Sequence, residues 1–323
     1  MPDNRVMDTA IDILGITGPI YLAIALGYWL TRRGLFARSD MQVFGKFTIE
    51  LALPALLFNA LSRRSVAEIL NWQYLAGYAL ATLAVVLGGL LWTRRVQGKP
   101  LALSSIVTMG MACANSGFVG YPVLLLTLGG TVAGVSLALN MVVENLLIIP
   151  LLLAVAGSEG SPGQWRQALL QTLRGLLRNP MIWGIVGGFL VSLSGLHMPE
   201  PVSRTVNLFS AASGALSLFV IGGSLVGLKP EGLKGTLAQI ALGKLIVHPL
   251  LMAVVLLWLI PVADPALRTA ALLTCAMPMM GIYTILAQRF GHGAISAAAL
   301  LVTTVLSFFT LSGLLWVLRH WPI

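Results

Sequence analysis

Cys113-Ala-Asn-Ser-Gly-Phe-Val-Gly-Tyr-Pro122 stands in the middle of an apolar run covering 101–127. Gly117 and Gly120 loosen a helix at that point, and Pro122 lacks an N–H donor and clashes with the preceding turn. Asn115 lies about fifteen residues into the run, near the bilayer midplane at a rise of about 1.5 Å per residue. A helix break at that depth costs several kcal/mol unless the freed backbone groups find partners. Far along the chain, again mid-run, comes Cys275-Ala-Met-Pro-Met-Met-Gly281. Two interruptions in corresponding places of two halves point to a transporter substrate site.

Proline suits the first turn of a helix, so a second half-helix is expected to start near Tyr121 or Pro122. Pro278 and Gly281 are expected to do the same in the later run, with Tyr121 and Tyr283 beside the two breaks. Two half-helix N-termini would then face each other at mid-membrane. Each carries roughly half a positive charge and unpaired N–H groups, which favours a carboxylate, and the Asn115 amide adds a donor. A plain proline kink with glycine at tight helix contacts is the competing explanation for either break alone. The matched positions favour a site.

The surrounding sequence sets the class. Of 323 residues, 57% are apolar and only 10% charged, too few charges to cover a soluble protein of this size. Mean hydropathy is +0.90. Ten runs reach lengths that cross about 30 Å of hydrocarbon: 11–30, 43–61, 72–92, 101–127, 131–155, 180–196, 205–228, 236–260, 266–288 and 293–318. The expectation is an all-α polytopic membrane protein with ten transmembrane helices. Asp3, Asp8 and Asp12 against Arg5 give the wrong charge for a signal n-region, so no cleavable signal is expected. Cys113 and Cys275 fall inside runs and read as small buried apolar residues.

A net charge of +9 is distributed by side. Thirteen of 20 basic residues, among them Arg32, Arg33, Arg94, Arg95, Lys99, Arg178, Lys229 and Arg289, lie at the odd-numbered connections. Arg5, Arg63, Arg64, Arg204, Arg268 and Arg319 lie on the other side. The positive-inside rule makes the odd connections cytoplasmic and puts both termini on the outer, periplasmic face of the cell membrane. The basicity orients the chain, and no nucleic-acid partner is expected.

A shift of 161 residues superposes Pro19, Gly27, Gly34 and Leu35 on Pro180, Gly188, Gly195 and Leu196. It also carries Phe58 onto Phe219, Thr108 onto Thr269, Gly120 onto Gly281 and Gly130 onto Gly291. Glycine and proline mark special backbone geometry, so these matches predict a common five-span unit. Five is odd, and the second copy must insert upside down. Inverted repeats of that kind underlie alternating access. The expected division is 1–156 for the first repeat, 157–179 for a polar cytoplasmic linker and 180–323 for the second repeat, with broken helices 4 and 9 crossing.

Asn115-Ser-Gly-Phe-Val-Gly-Tyr-Pro122, Leu51-Ala-Leu-Pro-Ala-Leu-Leu-Phe58 and Lys244-Leu-Ile-Val-His-Pro249 resemble the auxin efflux carrier family, whose bacterial members include proteins designated malonate and malate permeases. The resemblance runs over essentially the whole chain. It implies a fold shared with bile-acid sodium symporters and sodium/proton antiporters, in which two broken helices cross and a mobile core slides against a scaffold. It also implies organic anions bound at the crossing. Asn115 and Pro122 match the first crossing helix, and Pro278 with Gly281 the second. The second break departs from the pattern, having Ala276 and Met277 where an amide would complete a two-sided polar cradle.

Ionisable residues inside the runs are functional candidates by default. Lys244 and His248 are four apart and share a helix face. Lys244 is read as a positive group near the anion path, as a partner for Glu144, or as a structural or interfacial lysine. His248 before Pro249 is read as a structural hydrogen-bonder or a proton relay. Asn140 and Glu144 form a second i,i+4 pair. A buried carboxylate tends to hold a proton, so Glu144 is a candidate for proton coupling or for bracing the broken helices. Asn59 is expected to bond a neighbouring helix, and Glu50 to be interfacial or proton-linked.

These residues point to a secondary carrier of small organic anions, mono- or dicarboxylates, moving by an elevator-type step and driven by protons, sodium or neither. A sodium-coupled symporter is the alternative within transport. A membrane-embedded enzyme predicts clustered carboxylates or a His-based metal motif such as HExxH, and the sequence has none. No catalytic residue, metal or cofactor is expected. A channel predicts uninterrupted pore helices. The expected partners are the anion, the lipid bilayer and, as one open oligomeric state, a second copy in a homodimer.

Overall fold

The computed structural model describes residues 3–64, 70–158, 170, 174–175, 177–196, 198–228, 234–281, 283–288 and 290–321, with side chains from Leu14 onward. The 157–179 linker lies largely outside these residues, as do Lys229 and Arg289. The described elements are helical: α1 (Asp3–Arg32), α2 (Arg38–Ser62), α3 (Trp72–Val96), α4 (Leu101–Ala112), α5 (Ser116–Leu128), α6 (Gly130–Gly157), α7 (Pro180–Ser194), α8 (Glu200–Ser224), α9 (Lys234–Leu259), α10 (Pro265–Cys275), α11 (Tyr283–Gln288) and α12 (Gly293–His320). Seven of them, α1, α2, α3, α6, α8, α9 and α12, are long and apolar enough to cross a membrane. The expected run 180–196 is a shorter helix, and 101–127 and 266–288 are each split in two.

Proline shapes the long helices. Widened π-type turns at Thr48–Ala52, Ser116–Gly120, Glu144–Ile148 and Gly243–Val247 each end two residues before a proline: Pro54, Pro122, Pro150 and Pro249. The proline ring clashes with the carbonyl four residues back and donates nothing to it, and the extra residue in the turn absorbs the misfit. Ser116, Glu144 and Lys244 all sit in such turns.

Glycine sets how close the helices lie. A Cβ on Gly27 of α1 would strike the Phe219 carbonyl of α8, and one on Gly188 of α7 would strike the Phe58 carbonyl of α2. The 161-residue shift carries the first contact onto the second, since 27 maps to 188 and 58 to 219. The core gathers around α3, α4, α5, α6, α9 and α10, where Tyr74, Tyr78, Ile106, Met109, Leu124, Leu152, Ile240, Met252 and Leu273 are all buried. The outer faces of α1, α3, α7, α9 and α12 expose Leu22, Leu87, Trp183, Trp258 and Phe309. That inversion of the soluble pattern suits a lipid-facing wall.

Candidate functional site

The two interrupted segments meet backbone to backbone. Ala114 and Met279 form an antiparallel bridge. The Asn115 N–H donates to the Pro278 carbonyl at 2.8 Å, and the Met280 N–H to the Cys113 carbonyl at 3.3 Å. Each break thus satisfies polar groups freed by the other, which makes non-helical backbone tolerable inside an apolar core. Every residue from Cys113 to Ser116 and from Cys275 to Met280 is buried.

The α-helical part of α5 starts at Tyr121 with Pro122 in its first turn, as expected, but a π-turn from Ser116 to Gly120 precedes it, capped by the Asn115 side-chain oxygen, which accepts the Phe118 N–H at 3.2 Å. Asn is a strong N-cap, and the sequence signal was present. The second break differs from its expected half-helix start. Pro278 does not open a helix at all. It lies in the connecting backbone, and its role is the carbonyl that holds Asn115. α11 is only six residues long, so the second break presents no long helix to face α5.

Asn115 is 3% exposed, and its Nδ2 has no hydrogen-bond partner among the described residues. The Ser116 and Gly117 N–H groups, first in α5, lie ahead of any intrahelical acceptor. A helix N-terminus and an uncommitted amide donor therefore coincide. A Cβ on Gly117 would approach Leu53 at 3.2 Å, and one on Gly120 the Asn115 carbonyl at 3.3 Å. No described residue stands within 4 Å of where a Gly281 Cβ would be. Tyr121 is buried and lines a cavity towards α2 and α8. Tyr283 packs its ring edge against Gly110 of α4, with its hydroxyl buried and unpartnered among the described residues.

A buried polar ladder supports the bridge. Tyr74, Tyr78 and Thr82 follow one face of α3 at i, i+4 and i+8. The Tyr74 hydroxyl donates to the Asn140 side-chain oxygen at 2.9 Å, and the Asn140 amide donates to Thr274 of α10 at 3.2 Å. Glu144 accepts from the Tyr78 hydroxyl at 2.7 Å, from the Ala114 N–H at 3.1 Å and from the Ser116 hydroxyl at 3.3 Å. Glu144 thus braces the first break from α6.

Lys244 braces the second. Its ammonium donates to the Cys275 carbonyl at 2.8 Å and lies 3.0 Å from His248 Nδ1. An ammonium only donates, so Nδ1 accepts and the neutral ring carries its proton on Nε2. Nε2 then donates to Thr82 at 3.1 Å, while Thr82 itself donates to the Tyr78 carbonyl. No ion pair joins Lys244 to Glu144. Glu144 and Lys244 hold backbone groups of opposite polarity, an N–H and a carbonyl, at adjoining breaks. Lys244 and His248 are fully buried.

The sequence pointed to Asn140, Glu144, Lys244 and His248 but passed over Tyr74, Tyr78, Thr82 and Thr274. The i,i+4 spacing of the first three was their available signal. Glu50 is exposed. Asn59 does not reach a neighbouring helix through its oxygen, which is buried without a partner.

The sequence profile of a family described as "Membrane transport protein" matches residues 16–315. The chain belongs to this family. It is the auxin efflux carrier family that the motifs resemble. Among its relatives is a protein of Rhizobium meliloti (strain 1021) named "Putative malonate transporter", 29% identical over 316 residues, covering 95% of this chain and 96% of the relative. An Escherichia coli (strain K12) protein, "Uncharacterized transporter YfdV", is 26% identical over 305 residues, covering 93% and 95%. This membrane transport family member is thus matched along its length, both breaks included.

Proposed function

We propose that this membrane transport family member is a secondary carrier of small organic anions, mono- or dicarboxylates, binding them at the bridge between the two broken helices. The observation that carries this reading is the buried, uncommitted Asn115 Nδ2 beside the N-terminus of α5. Such a donor set favours a carboxylate, since backbone dipole and amide act together where water is excluded. The name of the rhizobial relative supports the same substrate class.

The proposed architecture is two inverted five-helix repeats, 1–156 and 180–323, joined by a cytoplasmic linker at 157–179. The Gly27–Phe219 and Gly188–Phe58 contacts, related by the repeat shift, support it. The bridged helices with α3, α6 and α9 would form the moving core of an elevator step. The termini would lie on the outer face of a bacterial inner membrane, and the chain acts as a carrier, not an enzyme. For coupling, Lys244 weighs against sodium. Its ammonium already occupies the carbonyl of Cys275 at the C-terminal end of α10, which supplies internally the charge that a coupling cation would bring. Glu144 is then the candidate for proton linkage.

The test is uptake into proteoliposomes of labelled malonate, succinate, malate, propionate and benzoate under imposed proton and sodium gradients. Saturable uptake of at least one carboxylate is expected. Flux of a cation or a sugar with no carboxylate transport would overturn the reading.

A further inference from the structure

Two sets of helices pack within themselves. α1 lies on α8 and α2 on α7 through the close approaches at Gly27 and Gly188, while α12 packs on α9 and α11. The repeat shift makes α12 the counterpart of α6, which groups it with the bridged helices. A side-chain hydrogen bond joins the two sets: the Tyr21 hydroxyl of α1 stands 3.1 Å from Ser307 Oγ of α12. Ser307 spends its one proton on the Thr304 carbonyl at 2.7 Å, so Tyr21 is the donor. The Tyr21 ring also meets Phe308 edge to face, with centroids 4.7 Å apart.

The repeat carries no copy of this bond. The 161-residue shift takes Tyr21 to Ile182 of α7 and Ser307 to Leu146 of α6, whose side chains have no hydrogen-bonding group. Nor are the matched positions equally covered. Ser307 is fully buried, whereas Leu146 is 54% exposed. Inverted repeats give two states in which each half takes the other's arrangement, so the contact made here by α1 and α12 passes to α7 and α6 in the opposite state. The hydrogen bond is then available in one state and absent from the other.

We propose that the Tyr21–Ser307 bond is a latch that biases the carrier toward the state described here. The latch rests on the elevator reading above and adds what sets its resting position. A contact that exists in only one of two states shifts their ratio by its whole net worth, roughly fivefold for one neutral hydrogen bond. Tyr21→Phe removes it cleanly. The ring keeps its Phe308 contact and Ser307 keeps Thr304, so no buried donor loses its acceptor.

The experiment is double electron–electron resonance on the full chain in lipid nanodiscs, spin-labelled at Leu208→Cys of α8 and Val96→Cys of α3. These positions are exposed and lie one in each set, while Cys113 and Cys275 are buried. The labelled parent is compared with Tyr21→Phe, Ser307→Ala and the double variant. The ratio of the second distance to the first is expected to rise roughly fivefold in each single variant and no further in the double. Two distances in the same ratio in every protein, or shifts that add in the double variant, would overturn the latch and leave the elevator step standing. A single distance common to every protein would remove the elevator step, and the latch with it.

Discussion

Replacing Asn115 separates its two jobs. Its Oδ1 caps α5 through Phe118, and its Nδ2 is uncommitted. Asn115→Ser keeps a capping oxygen and removes the amide donor, whereas Asn115→Ala removes both. Serine caps about as well as asparagine, so Asn115→Ser is expected to hold stability within a few tenths of a kcal/mol. Asn115→Ala loses the cap, at about 1 kcal/mol. Both lose a hydrogen bond to a charged ligand, about 1.5–3 kcal/mol, which weakens carboxylate affinity by roughly ten- to a hundredfold. The assay is malonate binding by isothermal titration calorimetry on the detergent-solubilised chain, beside thermal unfolding without ligand. Wild-type affinity in Asn115→Ser would refute the donor role. An unfolding shift as large in Asn115→Ser as in Asn115→Ala would refute the capping role.

Exchanging sodium for choline is expected to leave wild-type uptake unchanged, since Lys244 occupies the Cys275 carbonyl; sodium-dependent uptake contradicts this. Glu144→Gln keeps an acceptor for Tyr78 and Ala114 but cannot exchange a proton in the same way. Substrate exchange across the membrane should persist while uptake driven by a proton gradient is lost, and undiminished gradient-driven uptake would rule Glu144 out. Gly27→Ala should destabilise by about 1–3 kcal/mol, because its methyl would meet the Phe219 carbonyl. Gly281→Ala should be tolerated in the substrate-free fold, and equal unfolding shifts for the two would refute the packing assignment.

The helical class and the interruptions were legible because they rest on local properties: apolar length, and the missing N–H of Pro122. The pairs Asn140/Glu144 and Lys244/His248 were legible as shared helix faces. Their partners were not. One of the open readings paired Lys244 with Glu144, and instead it meets a backbone carbonyl. Carbonyls occur at every residue, so nothing in the sequence distinguishes Cys275 until α9 is packed against α10. The Ala114–Met279 bridge was hidden for the same reason, since backbone pairing leaves no side-chain signature. Pro278 was misassigned as a helix start because proline serves equally well in extended backbone, where its carbonyl remains an acceptor. Asn115 had a cap signature, but in so apolar a stretch its amide was read for ligand binding alone.

The central claim is that a carboxylate occupies the α5 N-terminus beside Asn115. Dipolar-coupling solid-state NMR between [13C]malonate carboxyl carbons and side-chain 15N of asparagine, with Asn115→Ser as the blank, measures this contact. The account predicts a carbon–nitrogen distance of about 3.5–4 Å, as a direct N–H···O bond requires, and its disappearance in the variant. Bound malonate with the same coupling in both proteins, or with none in either, would contradict it.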